Sequence, residues 1–242
     1  MFIANWKMNG SRPMLVNWLE GVGKTLDKSL QKQCLFCPPV CFLSEASDLI
    51  TKSNLSVSLG AQNIDPSSFS SLTGGIDGAI LRSIDSEFVI IGHSERRDIF
   101  KESDSLLLEK LKSASKNGLK VIFCIGESLE DKEQNQTLDI LRRQLKVIKK
   151  VDLNEFMIAY EPVWAIGTGN TASIDYIDKI HKEINDEVTS YQKKGFLGVS
   201  YGGSVDSSSS KDILSIKGVK GLLIGGASLQ YKEFCNIVLR NN

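Results

Sequence analysis

The stretch FMIAYEP, Phe156 to Pro162, runs five apolar residues into a carboxylate, Glu161, and stops on a proline. It is too short for a stable helix, rich in aromatic and β-branched residues, and closed by a residue that cannot continue a ladder. Those are the marks of a buried strand. The same pattern recurs as MFIANW (Met1–Trp6), CLFCPP (Cys34–Pro39), LSVSLGAQN (Leu55–Asn63), FVIIGHS (Phe88–Ser94), KVIFCIGE (Lys120–Glu127), FLGVSYGG (Phe196–Gly203) and GLLIGGAS (Gly221–Ser228). The runs recur at roughly thirty-residue intervals, the size of a βαβ unit.

Helical patterns fill the intervals. Leu138, Leu141, Leu145 and Ile148 repeat at three and four, as do Ile174, Ile177, Ile180, Ile184 and Val188, with charged residues on the opposite faces. Each helix therefore has one stripe to bury against a sheet. Alternating elements predict a parallel sheet with right-handed crossovers, and eight units predict a closed (β/α)8 barrel, one domain over residues 1–242. The other architecture for this order is an open doubly wound sheet. That fold usually carries a glycine-rich turn after its first strand, and NWKMNGS is not one. The segment Asp206–Asp212, DSSSSKD, falls where a helix should begin and reads as loop and cap.

The chain has 242 residues, 41% of them hydrophobic and 24% charged, with 29 basic against 29 acidic side chains. Zero net charge gives no footprint for nucleic acid or an anionic membrane surface. The first residues lack the basic and apolar regions of a signal peptide, and no stretch nears the ~18 apolar residues of a membrane span. The expected compartment is the cytoplasm. Five cysteines, Cys34, Cys37, Cys41, Cys124 and Cys235, are an odd number, which argues against a complete disulfide framework. Cys34 and Cys37 would face opposite sides of a strand, so buried thiols are expected rather than a zinc site.

Chemistry in such a barrel gathers at the carboxyl ends of the strands. There the first run ends in Asn5 and Lys7, the fourth in His93 and Glu95, the sixth in Glu161. Each pair is two apart, so strand alternation predicts a shared face at the mouth. The alternatives are a lysine that reaches solvent, a histidine that only caps a loop and a glutamate in a structural salt bridge, with Lys7 as its partner. The other histidine, His181, stands among charges in DKIHKEIND and reads as a solvated surface residue. Glycine pairs, Gly202–Gly203 and Gly225–Gly226, end the last two strands, where backbone N–H groups can approach a phosphate. A carboxylate base facing an imidazole and an ammonium suits proton abstraction beside a carbonyl, with no metal or cofactor expected.

The segments NWKMNG, GAQN, GHSERR, CIGE, YEPVWAIGTG, YGGSV and GGASL resemble the signatures of the triosephosphate isomerase family, in that family's order and over the length of the chain. The resemblance implies a (β/α)8 fold and interconversion of dihydroxyacetone phosphate with D-glyceraldehyde 3-phosphate, the isomerisation of glycolysis and gluconeogenesis. It implies Glu161 as base, His93 as electrophile, Lys7 as the cation for substrate, and Asn5 and Glu95 as supporting residues. Phosphate would meet backbone N–H groups at Gly167, Ser204, Gly225 and Gly226. Pro162, Val163 and Trp164 would form the first hinge of a lid whose tip is Ala165–Gly169. Two departures stand out: Asn170 opens the second hinge where lysine is usual, and Gly75 replaces the glutamate of a Thr-Gly-Glu segment. The implied assembly is a homodimer, in which Thr73 would approach Asn5 and Glu95 of the neighbour. Without that glutamate, Arg96 loses its partner across the interface unless Asp77 or another acid reaches it. The remaining functional classes are another phosphosugar barrel, such as a lyase or epimerase, and a barrel that only binds phosphorylated ligands.

Overall fold

A computed structural model describes residues 1–166, 172–191 and 194–241. The eight apolar runs form β1 (Phe2–Asn5), β2 (Cys34–Cys37), β3 (Ser58–Ala61), β4 (Phe88–Ile91), β5 (Lys120–Ile125), β6 (Phe156–Tyr160), β7 (Phe196–Tyr201) and β8 (Val219–Ile224). They pair in sequence order, all parallel, and β1 pairs with β8 to close the barrel. The pairing of Phe2 with Leu222 and of Ile3 with Leu223 sets the closing register, and the Leu222 N–H reaches the Met1 carbonyl at 3.0 Å. The register slips between Phe156 and Ile158 on the β6–β7 side and between Val199 and Ser200 on the β7–β8 side.

Period-two alternation divides the core. Ile3, Leu35, Cys37, Phe88, Ile90, Ile122, Cys124, Met157, Ala159 and Leu223 fill the barrel interior. Their strand neighbours, such as Phe2, Cys34, Phe36, Val121 and Ile158, pack outward under the helices. Cys34 and Cys37 thus face opposite layers, as their spacing predicts, while Cys41 lies exposed. Several helices begin where a side chain meets their first N–H groups. Ser11 accepts from Met14, Ser103 from Leu106, and Ser128 and Asp131 form a reciprocal capping box. In the serine-rich loop, Asp206 accepts from the N–H groups of Ser208 and Ser209 just before the helix Ser210–Ser215.

His181 corrects the sequence reading. It is fully buried, on the helix Ile174–Tyr191, in the same stripe as Ile177, Ile184 and Val188. Positions 177, 181, 184 and 188 follow the helical repeat, so the charged neighbours occupy the other face. The ring lies against Tyr160 and Tyr201, with centroids 5.7 and 6.2 Å away. Burial pushes its pKa from 6.5 down to about 4, against a smaller upward push from the Gly218 backbone. Neither ring nitrogen bonds a described side chain.

A histidine kept neutral in the fold but free to protonate when unfolded makes stability depend on pH. The unfolded chain binds the extra proton below pH 6.5, so stability is full above that value and falls as pH drops towards 4. This residue contributes about 3 kcal/mol of that loss. Chemical denaturation at pH 7 and at pH 4.5 checks it. The His181→Phe variant should lose at least about 1 kcal/mol less between the two than the parent does, and an equal loss in both would show that His181 is not the titrating group.

Candidate active site

Glu161 follows β6 directly, in step with Met157 and Ala159, and its side chain is only 1% exposed. Carboxylate oxygen Oε2 accepts the Ser94 backbone N–H at 2.8 Å. His93 Nε2 lies 3.0 Å from Oε1, a close contact without a well-aligned hydrogen bond. The other ring nitrogen, Nδ1, accepts the Glu95 N–H at 3.3 Å. While that bond stands, the ring's proton is on Nε2 and faces the carboxylate.

The structure brings these residues together, but not through strand alternation. β1 ends at Asn5, and Lys7 enters through a left-handed turn, φ 54°, its N–H held 3.1 Å from Asn5 Oδ1. A lysine in that region is uncommon and needs a local tie, which Asn5 supplies. On the fourth strand, Gly92 also turns left-handed, φ 76°, and His93 caps the helix Ser94–Ile99, to which Glu95 belongs. The capping role and the place beside Glu161 therefore coexist in His93. Lys7 Nζ sits 2.6 Å from Glu95 Oε1 and does not pair with Glu161, and the two side chains are 27% and 45% exposed. An ion pair this open to water is weak and is readily exchanged for another anion.

Glu161, His93, Lys7 and Asn5 line one cavity of about 280 Å³, closed on its other side by Ile166, Gly202, Ser204, Gly225 and Gly226. The short 3₁₀ turn Gly226–Leu229 starts at this wall. No described atom lies within 4 Å of where a Cβ on Gly226 would stand, and at Gly225 the first neighbour would be Lys7 Cε, 3.4 Å away. Protein packing alone does not demand glycine at either position. The Ser204 hydroxyl donates to the Ala165 carbonyl at 2.7 Å. Gly167, and with it the lid tip to Gly169 and the hinge from Asn170, lies outside the described residues.

Burial pushes Glu161 up, but His93, the Ser94 N–H and Lys7 together hold it below the usual carboxylate value. It is therefore ionised at neutral pH, as a base must be. His93 is pushed down by burial and pulled up more strongly by Glu161 and Glu95.

Three supports escaped the sequence reading. Glu127, at the end of the β5 run, is fully buried, and its Oε1 accepts from Tyr160 Oη at 2.9 Å, Trp164 Nε1 at 2.8 Å and Tyr176 Oη at 3.0 Å. A carboxylate at a strand end was the signal, the same one that marks Glu161. Arg97 ties the His93 turn in place, donating to the carbonyls of Gly92 at 2.8 Å and Cys124 at 3.0 Å. Gly126 passes so close to Glu161 that a Cβ there would overlap the Glu161 carbonyl.

A closed parallel barrel with an ionised carboxylate, an imidazole and a lysine around one cavity at its carboxyl rim defines a (β/α)8 enzyme of the acid–base kind. The family model for triosephosphate isomerase matches residues 1–241. Proteins named triosephosphate isomerase from Nitrosococcus oceani and Bartonella tribocorum are 38% and 40% identical to this chain. Each alignment covers 98% of the chain, and 96% and 94% of those proteins. One of the same name from Psychromonas ingrahamii is 32% identical over 98% of the chain and 97% of its own length. The chain belongs to the triosephosphate isomerase family.

The Gly126 contact is open to test. Gly126→Ala should destabilise the fold by about 1–3 kcal/mol, as overpacking against a backbone atom does. It should also lower turnover more than it lowers affinity for a phosphate-bearing inhibitor, because the displaced atom belongs to Glu161. A variant with the parent's melting temperature and rate would mean that the backbone there yields freely.

Proposed function

We propose that the protein interconverts dihydroxyacetone phosphate and D-glyceraldehyde 3-phosphate as a single-domain (β/α)8 enzyme, with Glu161 moving the proton. The observation that carries the assignment is the convergence of Glu161, His93 and Lys7 on one small cavity walled by Gly225 and Gly226. Glu161 removes a proton from the carbon beside the carbonyl, and the electron pair moves through the new C–C double bond to the carbonyl oxygen. The Nε2–H of His93 donates to the enediolate oxygens and relays the hydroxyl proton from the one that becomes the new carbonyl to the other, and the proton on Glu161 returns to the neighbouring carbon. Nothing is oxidised or reduced overall. Lys7, beside Gly225, exchanges its contact with Glu95 for the substrate's anionic group, while Asn5 holds the Lys7 turn. The phosphate takes backbone N–H groups of Ser204, Gly225 and Gly226, and of Gly167. Membership of this family supports a place in glycolysis and in the cytoplasm, and no described helix is long and apolar enough to cross a membrane.

Glu161→Gln keeps the side chain's shape and removes its basicity. Its kcat should fall by at least ~10²-fold, the usual worth of a positioned base, while a phosphate-bearing inhibitor still binds. Near-normal turnover would remove Glu161 from the role, and a parent enzyme inactive on glyceraldehyde 3-phosphate would favour the lyase or epimerase reading.

The same reading makes the protein a homodimer. Beside the site runs a groove of about 720 Å³, lined by Asn5, Lys7, Glu95, Arg96 and Phe100 among others. Met8, Ile99 and Phe100 are 97%, 69% and 65% exposed in the single chain. An apolar border of that kind around a groove fits a partner surface. Arg96 is not left unpaired by Gly75. Its Nε lies 2.6 Å from Glu102 Oε1, which also takes Lys110 at 2.6 Å, while Asp77 caps the helix Gly78–Ser83. Another acid, Glu102, thus reaches Arg96, the missing glutamate costs little, and a dimer of ordinary strength is expected. A Cβ on Gly75 would stand 3.1 Å from the Leu72 carbonyl oxygen, so adding a side chain also crowds the loop. Sedimentation over a dilution series should show a dimer whose dissociation constant changes less than about tenfold in Gly75→Glu, under 1.4 kcal/mol. A fully active monomer would defeat the dimer, and a much tighter Gly75→Glu dimer would show that Arg96 was still short of a partner.

A further inference from the structure

From the clamp around Trp164, we infer that Lys132 is a positioning residue for the proton-transfer site. Lys132 stands on the short helix Leu129–Glu133, which the Ser128–Asp131 capping box fixes just beyond β5. Its ammonium lies 3.4 Å from the centroid of the Trp164 ring and 5.1 Å from that of Tyr176. The two rings meet edge-on, 5.9 Å apart at 69°. No described carboxylate pairs with this ammonium within 4.0 Å, so the rings are its electrostatic partner.

Trp164 is thus held from two directions. Its Nε1–H points at the buried Glu127, and its face carries the Lys132 charge. The two contacts reinforce each other. An indole N–H donating to a carboxylate makes the ring richer in electrons, and a richer ring holds a cation more firmly. Trp164 sits in the 3₁₀ turn Val163–Ala165, three residues beyond Glu161. The Val163 N–H reaches the Glu127 carbonyl at 3.1 Å, and Ala165 takes the Ser204 hydroxyl. Lys132 is therefore the outer jaw of a clamp whose inner jaw is Glu127, and the clamp fixes where the chain goes as it leaves the base. Lys132 does not line the cavity and touches no reacting atom. Its effect rests on the proposed role of Glu161.

Two substitutions separate charge from bulk. Lys132→Met keeps the apolar stem and removes the cation, whereas Lys132→Arg keeps a cation that stacks on indole. For Lys132→Met, kcat on glyceraldehyde 3-phosphate should fall about two- to fivefold, the range of one partly exposed cation–aromatic contact, with a smaller change in KM. Lys132→Arg should recover most of it. The melting temperature should move by less than about 4 °C in both. Trp6 and Trp18 are fully buried, so subtracting the spectrum of Trp164→Phe isolates the Trp164 emission. That emission should change in Lys132→Met and return in Lys132→Arg. A normal kcat in Lys132→Met, or an arginine variant that behaves like methionine, overturns the inference. Were the parent inactive on this substrate, the functional reading would fall instead, and the emission difference alone would decide whether the clamp exists.

Discussion

The arrangement at the barrel mouth turns on one constraint: Glu161 must stay charged while almost wholly out of water. An isolated carboxylate in that position would protonate. Glu161 escapes this because the Ser94 N–H and the His93 ring approach it from the turn after β4 and Lys7 from the turn after β1. Those approaches depend in turn on Arg97 pinning the His93 turn and on Asn5 holding Lys7 in its left-handed backbone. A single buried charge thus dictates the conformation of several loops.

Glu127 shows what the constraint does in different company. It ends the neighbouring β5 run, as Glu161 ends β6, and is at least as deeply buried. Yet burial leaves Glu127 above the usual carboxylate value, because Tyr160, Trp164 and Tyr176 reach it with neutral donors. Hydrogen bonds favour its charged form, but no cation stands among them to offset desolvation. Adjacent strand ends therefore hold one carboxylate kept charged by its neighbours and another that grips indole and phenol groups.

The barrel was legible because its evidence is local: apolar runs, stops and helical stripes. The rim residues were legible because strand ends are where such folds place chemistry. What the sequence concealed was how they arrive. A positive φ at a lysine leaves no compositional trace, so alternation placed Asn5 with Lys7 and His93 with Glu95 for the wrong geometrical reason. Partners distant in the chain were equally hidden: the three donors of Glu127 belong to three elements, and the acid that satisfies Arg96 comes from Glu102. His181 was misread because its flanking charges outweighed its place in the helical repeat.

The closure of β1 on β8 has a consequence for how the chain reaches this structure. Phe2 cannot meet Leu222 until nearly the whole sequence is available. On a ribosome, the first strand exists long before its last partner emerges, and its free edge offers unpaired backbone to any other strand. Neighbouring βαβ units can form as they appear, since their pairings span short loops, but the ring cannot lock until the end. Folding of this enzyme is therefore a race between internal closure at the seam and edge-to-edge association between unfinished barrels.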